Sequence, residues 1–228
     1  MTELNNRLRT ILDDINRAEN QLVTSHHYVQ LLAVSKTQPA DVVRQAAKAG
    51  QRYFGENYLQ EALIKINQLA DLKLEWHFIG PIQSNKTKDI AENFDWVQTV
   101  ARLKIAQRLD NQRPSHRNKL NICIQVNIDN ESTKSGIAAT ELFELAKHIS
   151  QLNNLQLRGL MIIPTHSSDP QQQQHSFQQA HTLYKQLATI YPSVDTLSMG
   201  MSGDMTLAIA EGSNMVRIGT ALFGKRDK

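Results

Sequence analysis

Val29-Gln30-Leu31-Leu32-Ala33-Val34-Ser35-Lys36-Thr37-Gln38-Pro39 is the stretch that decides the fold. An apolar run of strand length passes, without any Gly-x-Gly-x-x-Gly, into a proline and a helical pattern that runs to Ala49 and stops at Gly50. The same unit recurs outward from it. Short apolar runs stand at Arg52–Phe54, Trp76–Ile79, Trp96–Thr99, Ile122–Val126, Leu155–Met161, Thr196–Ser198 and Met215–Ile218. Helical spacing fills the gaps at Tyr58–Leu69, Asn85–Ala91, Ala101–Leu109, Thr140–Gln151, His175–Tyr191 and Asp204–Glu211. Strands that alternate with helices pair in parallel, because each helix carries the chain back across the sheet. Eight such strands, preceded by a helix with Leu4, Leu8, Ile11, Leu12 and Ile15 on one face, predict a single α/β domain over 1–228. The architecture expected is a (β/α)8 TIM barrel with an extra N-terminal helix. A doubly wound open sheet is the alternative. It is disfavoured by the strand count and by the missing glycine fingerprint after the first strand. The tract Asp169-Pro170 followed by Gln171–Gln174 reads as an exposed loop or a helix start.

Composition narrows the function. The chain of 228 residues has 40% hydrophobic residues and a formal charge of +3, enough apolar surface and little enough charge to fold as a globule. One cysteine excludes an internal disulfide framework and a four-cysteine zinc site, and fits a reducing, cytoplasmic setting. The charged residues among the first twenty leave no signal-peptide core, and no apolar run is long enough to span a membrane. The basic excess is small and scattered, with no cluster of the kind that binds a phosphate backbone, so no nucleic-acid partner is expected.

In a barrel the residues at the C-terminal ends of the strands form the site. Lys36 follows the first strand directly; an amine desolvated in that mouth condenses with an aldehyde, whereas a solvated one is an ordinary surface lysine. Ser198-Met199-Gly200-Met201-Ser202-Gly203-Asp204 follows strand seven, and Arg217-Ile218-Gly219-Thr220-Ala221 closes strand eight. Those two loops are where barrels hold phosphate, with glycines for close backbone approach and Ser202 and Thr220 as hydroxyl donors. Ser202 is also a candidate N-cap for the helix through Leu207. Asn57, after strand two, either bonds a ligand or caps the next helix, and His77 either faces the mouth or is an interior residue. Ser84-Asn85-Lys86 binds an anion or starts a helix. Cys123 reads as inert core. No His-x-x-x-His or His-Glu-x-x-His is present, so no metal is expected. Nor is there a Gly-x-Ser-x-Gly hydrolase elbow.

Taken together, Ala33-Val34-Ser35-Lys36-Thr37, Phe54-Gly55-Glu56-Asn57-Tyr58, Trp76-His77-Phe78-Ile79-Gly80, Gln83-Ser84-Asn85-Lys86, Lys134-Ser135-Gly136, Arg158-Gly159-Leu160-Met161, Leu197-Ser198-Met199-Gly200-Met201-Ser202 and Val216-Arg217-Ile218-Gly219-Thr220 resemble, in order, the pyridoxal phosphate homeostasis proteins. The resemblance runs from about Leu4 to Gly224. It implies a barrel of PLP fold type III, similar to the N-terminal domain of alanine racemase, that binds pyridoxal 5′-phosphate (PLP) without an established reaction. By resemblance, Lys36 carries PLP as a covalent aldimine, a reversible Schiff base, and Ser202, Gly219 and Thr220 hold the phosphate. Ser198, Met201 and Met161 lie close by, Arg217 faces the pyridine nitrogen and Asn57 lines the pocket. Gly203 stands where members of the family often carry a polar residue.

The residues favour a carrier over a catalyst. Arg217 is a permanent cation and disfavours a protonated pyridine, which weakens the electron sink. Racemisation needs acid and base on both faces of the substrate carbon, and in racemases of this type the second group comes from an added domain and a partner subunit. The sequence continues only to Lys228, with no stretch for such a domain. The expectation is a monomer that stores or delivers PLP to PLP-dependent apo-enzymes and has no catalytic residue. The alternatives are a weak amino-acid racemase, a Schiff-base aldolase that uses Lys36 without a cofactor, or an interaction protein with a basic surface.

Overall fold

The computed structural model describes residues 2–22, 28–131, 133–165 and 169–224. Eight parallel strands close into a barrel in sequence order. They are β1 (Gln30–Val34), β2 (Tyr53–Glu56), β3 (Glu75–Phe78), β4 (Trp96–Val100), β5 (Leu120–Val126), β6 (Leu155–Ile162), β7 (Thr196–Ser198) and β8 (Met215–Ile218). The seam joins β1 to β8, with Leu32 opposite Arg217 and Ala33 opposite Ile218. Helix α1 (Glu3–Asn20) precedes the barrel, and α2 (Ala40–Lys48), α3 (Leu59–Gln68), α4 (Thr87–Asn93), α5 (Leu103–Gln112), α6 (Leu142–Ser150), α7 (Pro170–Ile190) and α8 (Met205–Ala210) are the crossovers. A short α9 (Thr220–Phe223) follows β8. This is the expected barrel with its N-terminal helix, and not the open sheet.

Strand side chains alternate between two environments, as a period of two requires. Leu31, Ala33, Phe54, Trp76, Phe78, Val97, Ile122, Ile124, Ile162 and Val216 belong to the cluster that joins the barrel to its helices. Phe54, Phe94 and Phe177 are fully buried there, and each contributes on the order of 2–3 kcal/mol by leaving water. The alternate residues face inward. Trp96, Cys123 and Met161 form a separate apolar cluster, and His77, Gln98, Ser198 and Arg217 are buried on the same inward parity. Barrel interiors are usually branched aliphatic; this one is polar along one side.

At Gly159 the backbone has φ +151°, and a Cβ would lie 1.8 Å from the Thr196 carbonyl oxygen. The register slips there, since Ile122 faces Leu157 but Cys123 faces Gly159. Arg158 is the extra residue of the bulge. Its guanidinium bonds Asp195 and lies 4.6 Å from the Trp96 ring centroid.

Several boundaries differ from the sequence reading. Helix α7 starts at Pro170, five residues before the expected His175, because the Asp169 side chain accepts from the Gln171 amide at 2.9 Å and Pro170 fits the first turn. The glutamine tract is therefore helix. Pro39 is extended and precedes α2 rather than opening it. The Ser84–Lys86 segment is a 3-10 turn leading into α4. No described helix is long and apolar enough to cross a membrane.

Candidate functional site

The C-terminal ends of β1, β2, β6, β7 and β8 surround a cavity of about 350 Å³. Eight of the nine residues expected at the site line it: Lys36, Asn57, Met161, Met201, Ser202, Arg217, Gly219 and Thr220. Val34, Gln38, Ile79, Ile163, Gly203, Phe223 and Gly224 complete the wall and were not anticipated. Phe223 ends α9, a turn too short to leave a periodic signal, and Gly224 follows as its C-cap. Lys36 and Arg217 are the ionisable side chains of the lining.

Lys36 leaves β1 at a fixed angle. Thr37 behind it has φ +67°, a left-handed conformation that a β-branched residue adopts only under constraint. The constraint is visible. The Thr37 amide donates to Glu61 Oε1 at 2.6 Å, and the same oxygen accepts from Lys65 Nζ at 2.6 Å. Lys65, on the inner face of α3, also donates to the Ser35 carbonyl at 2.7 Å and to Glu56 Oε1 at 2.5 Å. Ser35 Oγ donates to that Glu56 oxygen at 2.6 Å. Glu56 and Lys65 are 0% and 3% exposed, so the pair is sealed beneath the strand ends. Burial pushes the Glu56 carboxyl above its ordinary range, and the Lys65 ammonium pulls it partly back. The sequence reading missed this clamp.

Asn57 does not cap α3: Tyr58 holds the N-cap position and no side chain caps there. Its Oδ1 is buried without a partner. The position is fixed by Gly80, where a Cβ would come within 2.1 Å of the Asn57 carbonyl oxygen.

Ser202 is not an N-cap either. Asp204 precedes α8, and its Oδ1 accepts from the Met201 amide at 2.5 Å, which closes the loop and leaves Ser202 exposed at the cavity rim. On the other side Gly219 precedes α9, whose opening amides at Thr220 and Ala221 have no intrahelical acceptor. Backbone amides and two hydroxyls of the two loops thus border one cavity.

Arg217 forms part of the floor. Nη1 donates to the Ser198 carbonyl at 2.8 Å and to Ser198 Oγ at 2.9 Å, and Nη2 to the Ile162 carbonyl at 2.8 Å. Burial pulls its pKa down to about 10, so it stays a cation at neutral pH. Ser198 is the expected residue that does not reach the cavity. It is fully buried under Arg217, one layer down the barrel. His77 does not face the mouth: it is fully buried in the interior and bonds Glu75 and Gln98. Cys123 is buried core, its thiol pushed up to about 12 by burial. Among the described residues no group of His, Cys, Asp and Glu is placed to hold a metal ion.

The donor set suits a phosphorylated aromatic aldehyde: an amine at one side, amides and hydroxyls for an anion at the other, and a planar cation on the floor. The orphaned Asn57 Oδ1 is an acceptor with room for a donor from a ligand.

Comparison with known proteins agrees. The alanine racemase N-terminal domain model matches residues 10–227. The pyridoxal phosphate homeostasis protein of Vibrio alginolyticus is 52% identical over 231 residues, covering 100% of this chain and 99% of that protein. Its namesake in Escherichia coli (strain K12) is 50% identical over 230 residues, covering 100% of this chain and 98% of the other. The structure of PipY from Synechococcus elongatus PCC7942, solved with PLP bound, is 38% identical. It superposes with a TM-score of 0.83, covering 97% of this chain and 100% of that one. The chain belongs to the pyridoxal phosphate homeostasis protein family, on the alanine racemase N-terminal barrel.

Proposed function

We propose that this barrel binds PLP at its mouth and serves intracellular vitamin B6 homeostasis as a carrier, without a catalytic cycle of its own. The observation that carries the reading is the sharing of one cavity by Lys36, Arg217 and the two loops of Ser202 and of Gly219 and Thr220. PLP, when bound, supplies an aldehyde carbon that an amine can attack and a ring that withdraws electrons.

Lys36 would hold the aldehyde carbon by its amine, reversibly and with loss of water, on a backbone fixed by the strained Thr37 turn and the Glu61–Lys65–Glu56 clamp. Ser202, Gly219 and Thr220 hold the phosphate by amides and hydroxyls. Arg217 donates toward the ring nitrogen and, as a fixed cation, keeps a proton off it. Asn57 accepts from the ring hydroxyl. Met161, fully buried, and Met201, 39% exposed at the rim, line the cavity and would pack against the ring.

The absence of a catalytic cycle is supported by the lining. Among the described residues Lys36 and Arg217 are its ionisable side chains, and neither is a second acid–base group on the opposite face, which racemisation requires. The reading includes a single-domain monomer in the cytoplasm, consistent with one buried thiol, and PLP-dependent apo-enzymes as recipients.

The test is the visible spectrum of the protein mixed with PLP, followed by borohydride reduction and peptide mapping. A band near ~420 nm and a reduced pyridoxyl group on the Lys36 peptide are expected of a lysine-bound cofactor. A colourless, unlabelled protein refutes the proposal.

A further inference from the structure

Arg217 is the first link of a hydrogen-bonded chain that crosses the barrel interior to its opposite end. Arg217 Nη1 donates to Ser198 Oγ at 2.9 Å, and Ser198 Oγ donates to Gln98 Oε1 at 2.7 Å. Gln98 Nε2 meets His77 Nδ1 at 2.8 Å, and His77 Nε2 meets Glu75 Oε1 at 3.0 Å. Ser198, Gln98 and His77 are each 0% exposed, whereas Glu75 opens β3 at the N-terminal end of the barrel with its side chain 36% exposed.

The chemistry allows the chain one direction. A guanidinium has donors only, so Ser198 Oγ accepts from Arg217 and turns its own proton to Gln98. Gln98 then presents its amide N–H to His77 Nδ1, which must accept, and the single imidazole proton sits on Nε2 and points at the Glu75 carboxylate. Burial holds His77 below its ordinary range and so neutral, against Glu75 and Asp95, which raise it, and with Arg158, which lowers it. The ring is clamped by the parallel Trp96 ring, at a centroid distance of 5.0 Å and an interplanar angle of 8°. Each donor therefore points from the cation toward the anion, and bonds aligned in this way polarise one another.

An interior built of Val, Ile and Leu would pack a barrel at less risk, since a buried polar chain stabilises only when every member is satisfied. Here the chain ends on a residue of the ligand cavity. We infer that Ser198, Gln98, His77 and Glu75 are positioning residues that fix the plane of Arg217 and set its strength as a donor to the ring nitrogen of a bound pyridine. The charge on Glu75 is thereby felt at the cavity on the other end of the barrel. This rests on the proposed PLP site, and it adds to that site a means of tuning how firmly the cofactor is held.

The experiment is a double-mutant cycle read by the visible band of the PLP-loaded protein. Glu75→Gln keeps the shape and removes the charge at an accessible position. It should lower the pH midpoint of the band by roughly half a unit, the scale of one distant unit charge at an effective dielectric of about 20. Gln98→Leu cuts the chain and should weaken PLP binding about three- to tenfold. In the Gln98→Leu background Glu75→Gln should then shift the midpoint by clearly less, only the direct through-space part of its charge remaining. Should Gln98→Leu not fold, Ser198→Ala cuts the chain one link nearer the cavity and completes the same cycle. Imidazole nitrogen NMR on the ligand-free protein should show His77 protonated on Nε2 alone. Additive shifts in the cycle, an unmoved midpoint in Glu75→Gln, or a proton on Nδ1 overturns the inference while the site stands. A wild-type protein without any band overturns the site and the inference together.

Discussion

Replacing Lys65 by methionine isolates the clamp behind Lys36. Methionine matches the stem in length and keeps α3 intact, so the change removes the ammonium and little else. Three bonds vanish with it, to Glu56, Glu61 and the Ser35 carbonyl. Glu56 is then a carboxylate with 0% exposure and no counter-charge. Breaking a buried pair from one side costs about 3–5 kcal/mol, a large share of the 5–15 kcal/mol typical of a domain. With a urea slope of about 2–3 kcal/mol/M, the unfolding midpoint at pH 7.5 should fall by about 1–2 M. The loss has a signature in pH. Glu56 already titrates above its ordinary range, because burial disfavours its charge more than Lys65 favours it. Without Lys65 it rises further, so the folded state binds a proton that the unfolded state releases. Stability then falls as pH rises from the unfolded toward the folded value, and is recovered below both. The deficit of Lys65→Met should accordingly be smaller at pH 5.5 than at pH 7.5. Adding Glu56→Gln should recover most of it at pH 7.5, since the double variant holds no buried charge. A loss below about 1 kcal/mol, or a double variant no better than the single one, refutes the clamp as an ion pair that needs both partners.

The remaining predictions concern the cavity and the core. Lys36→Ala should abolish borohydride labelling yet retain PLP by the phosphate loops, whereas Ser202→Ala should weaken binding with labelling intact; ultrafiltration of PLP after reduction separates the two. Gly203→Ala should stabilise by about 0.4–1 kcal/mol in urea unfolding, because a Cβ there meets nothing within 4 Å and the unfolded chain loses freedom. Cys123, fully buried with its thiol pushed up to about 12, should be silent to a thiol reagent at pH 8 in the native protein and react at once in urea.

What the sequence made legible follows from what burial does to a strand. β7 and β8 have the ends read from Thr196–Ser198 and Met215–Ile218, because each short run around an apolar centre is bounded by loop-forming residues, with Gly200 and Gly203 after β7, Gly212 before β8 and Gly219 after it. Lys36 was legible for a related reason: a strand of the barrel delivers whatever follows it to the mouth. Ser198 was not, because alternation tells which residues point inward but not how high they stand, and an inward residue one layer down supports the cavity without touching it. The N-cap of α8 failed on a similar ambiguity. Ser202 and Asp204 both carry an oxygen suited to the turn, and only the path of the loop decides that Asp204 reaches the Met201 amide. Lys65 had left a trace. It stands three residues after Ala62 and four before Leu69, both fully or almost fully buried, so a charged residue occupies the apolar register of α3. The interior chain left none, since Glu75, His77, Gln98 and Ser198 lie on three strands and only closure of the barrel brings them into line.

On the proposed reading, the same geometry makes holding and turning over separable in this barrel. A phosphate gripped by amides and hydroxyls gives affinity that does not depend on the state of the ring. An amine on Lys36 gives a bond that another amine can displace. Racemisation needs a second base across the substrate carbon, and it is favoured by a protonated ring nitrogen that draws electrons strongly. Arg217 opposes that protonation, because its guanidinium is fixed by Ser198 and Ile162 and stays charged. Among the described residues the lining offers no second base, since beyond Lys36 its ionisable group is that same arginine. A base introduced alone is therefore expected to work against a weak electron sink. A tyrosine or histidine placed at Met201, which overhangs the cavity from the rim, should leave PLP bound and still give at most slow exchange of an amino acid α-proton. Deuterium exchange followed by proton NMR measures it, and fast exchange in such a variant would show that the rim, and not the floor, was what withheld the chemistry.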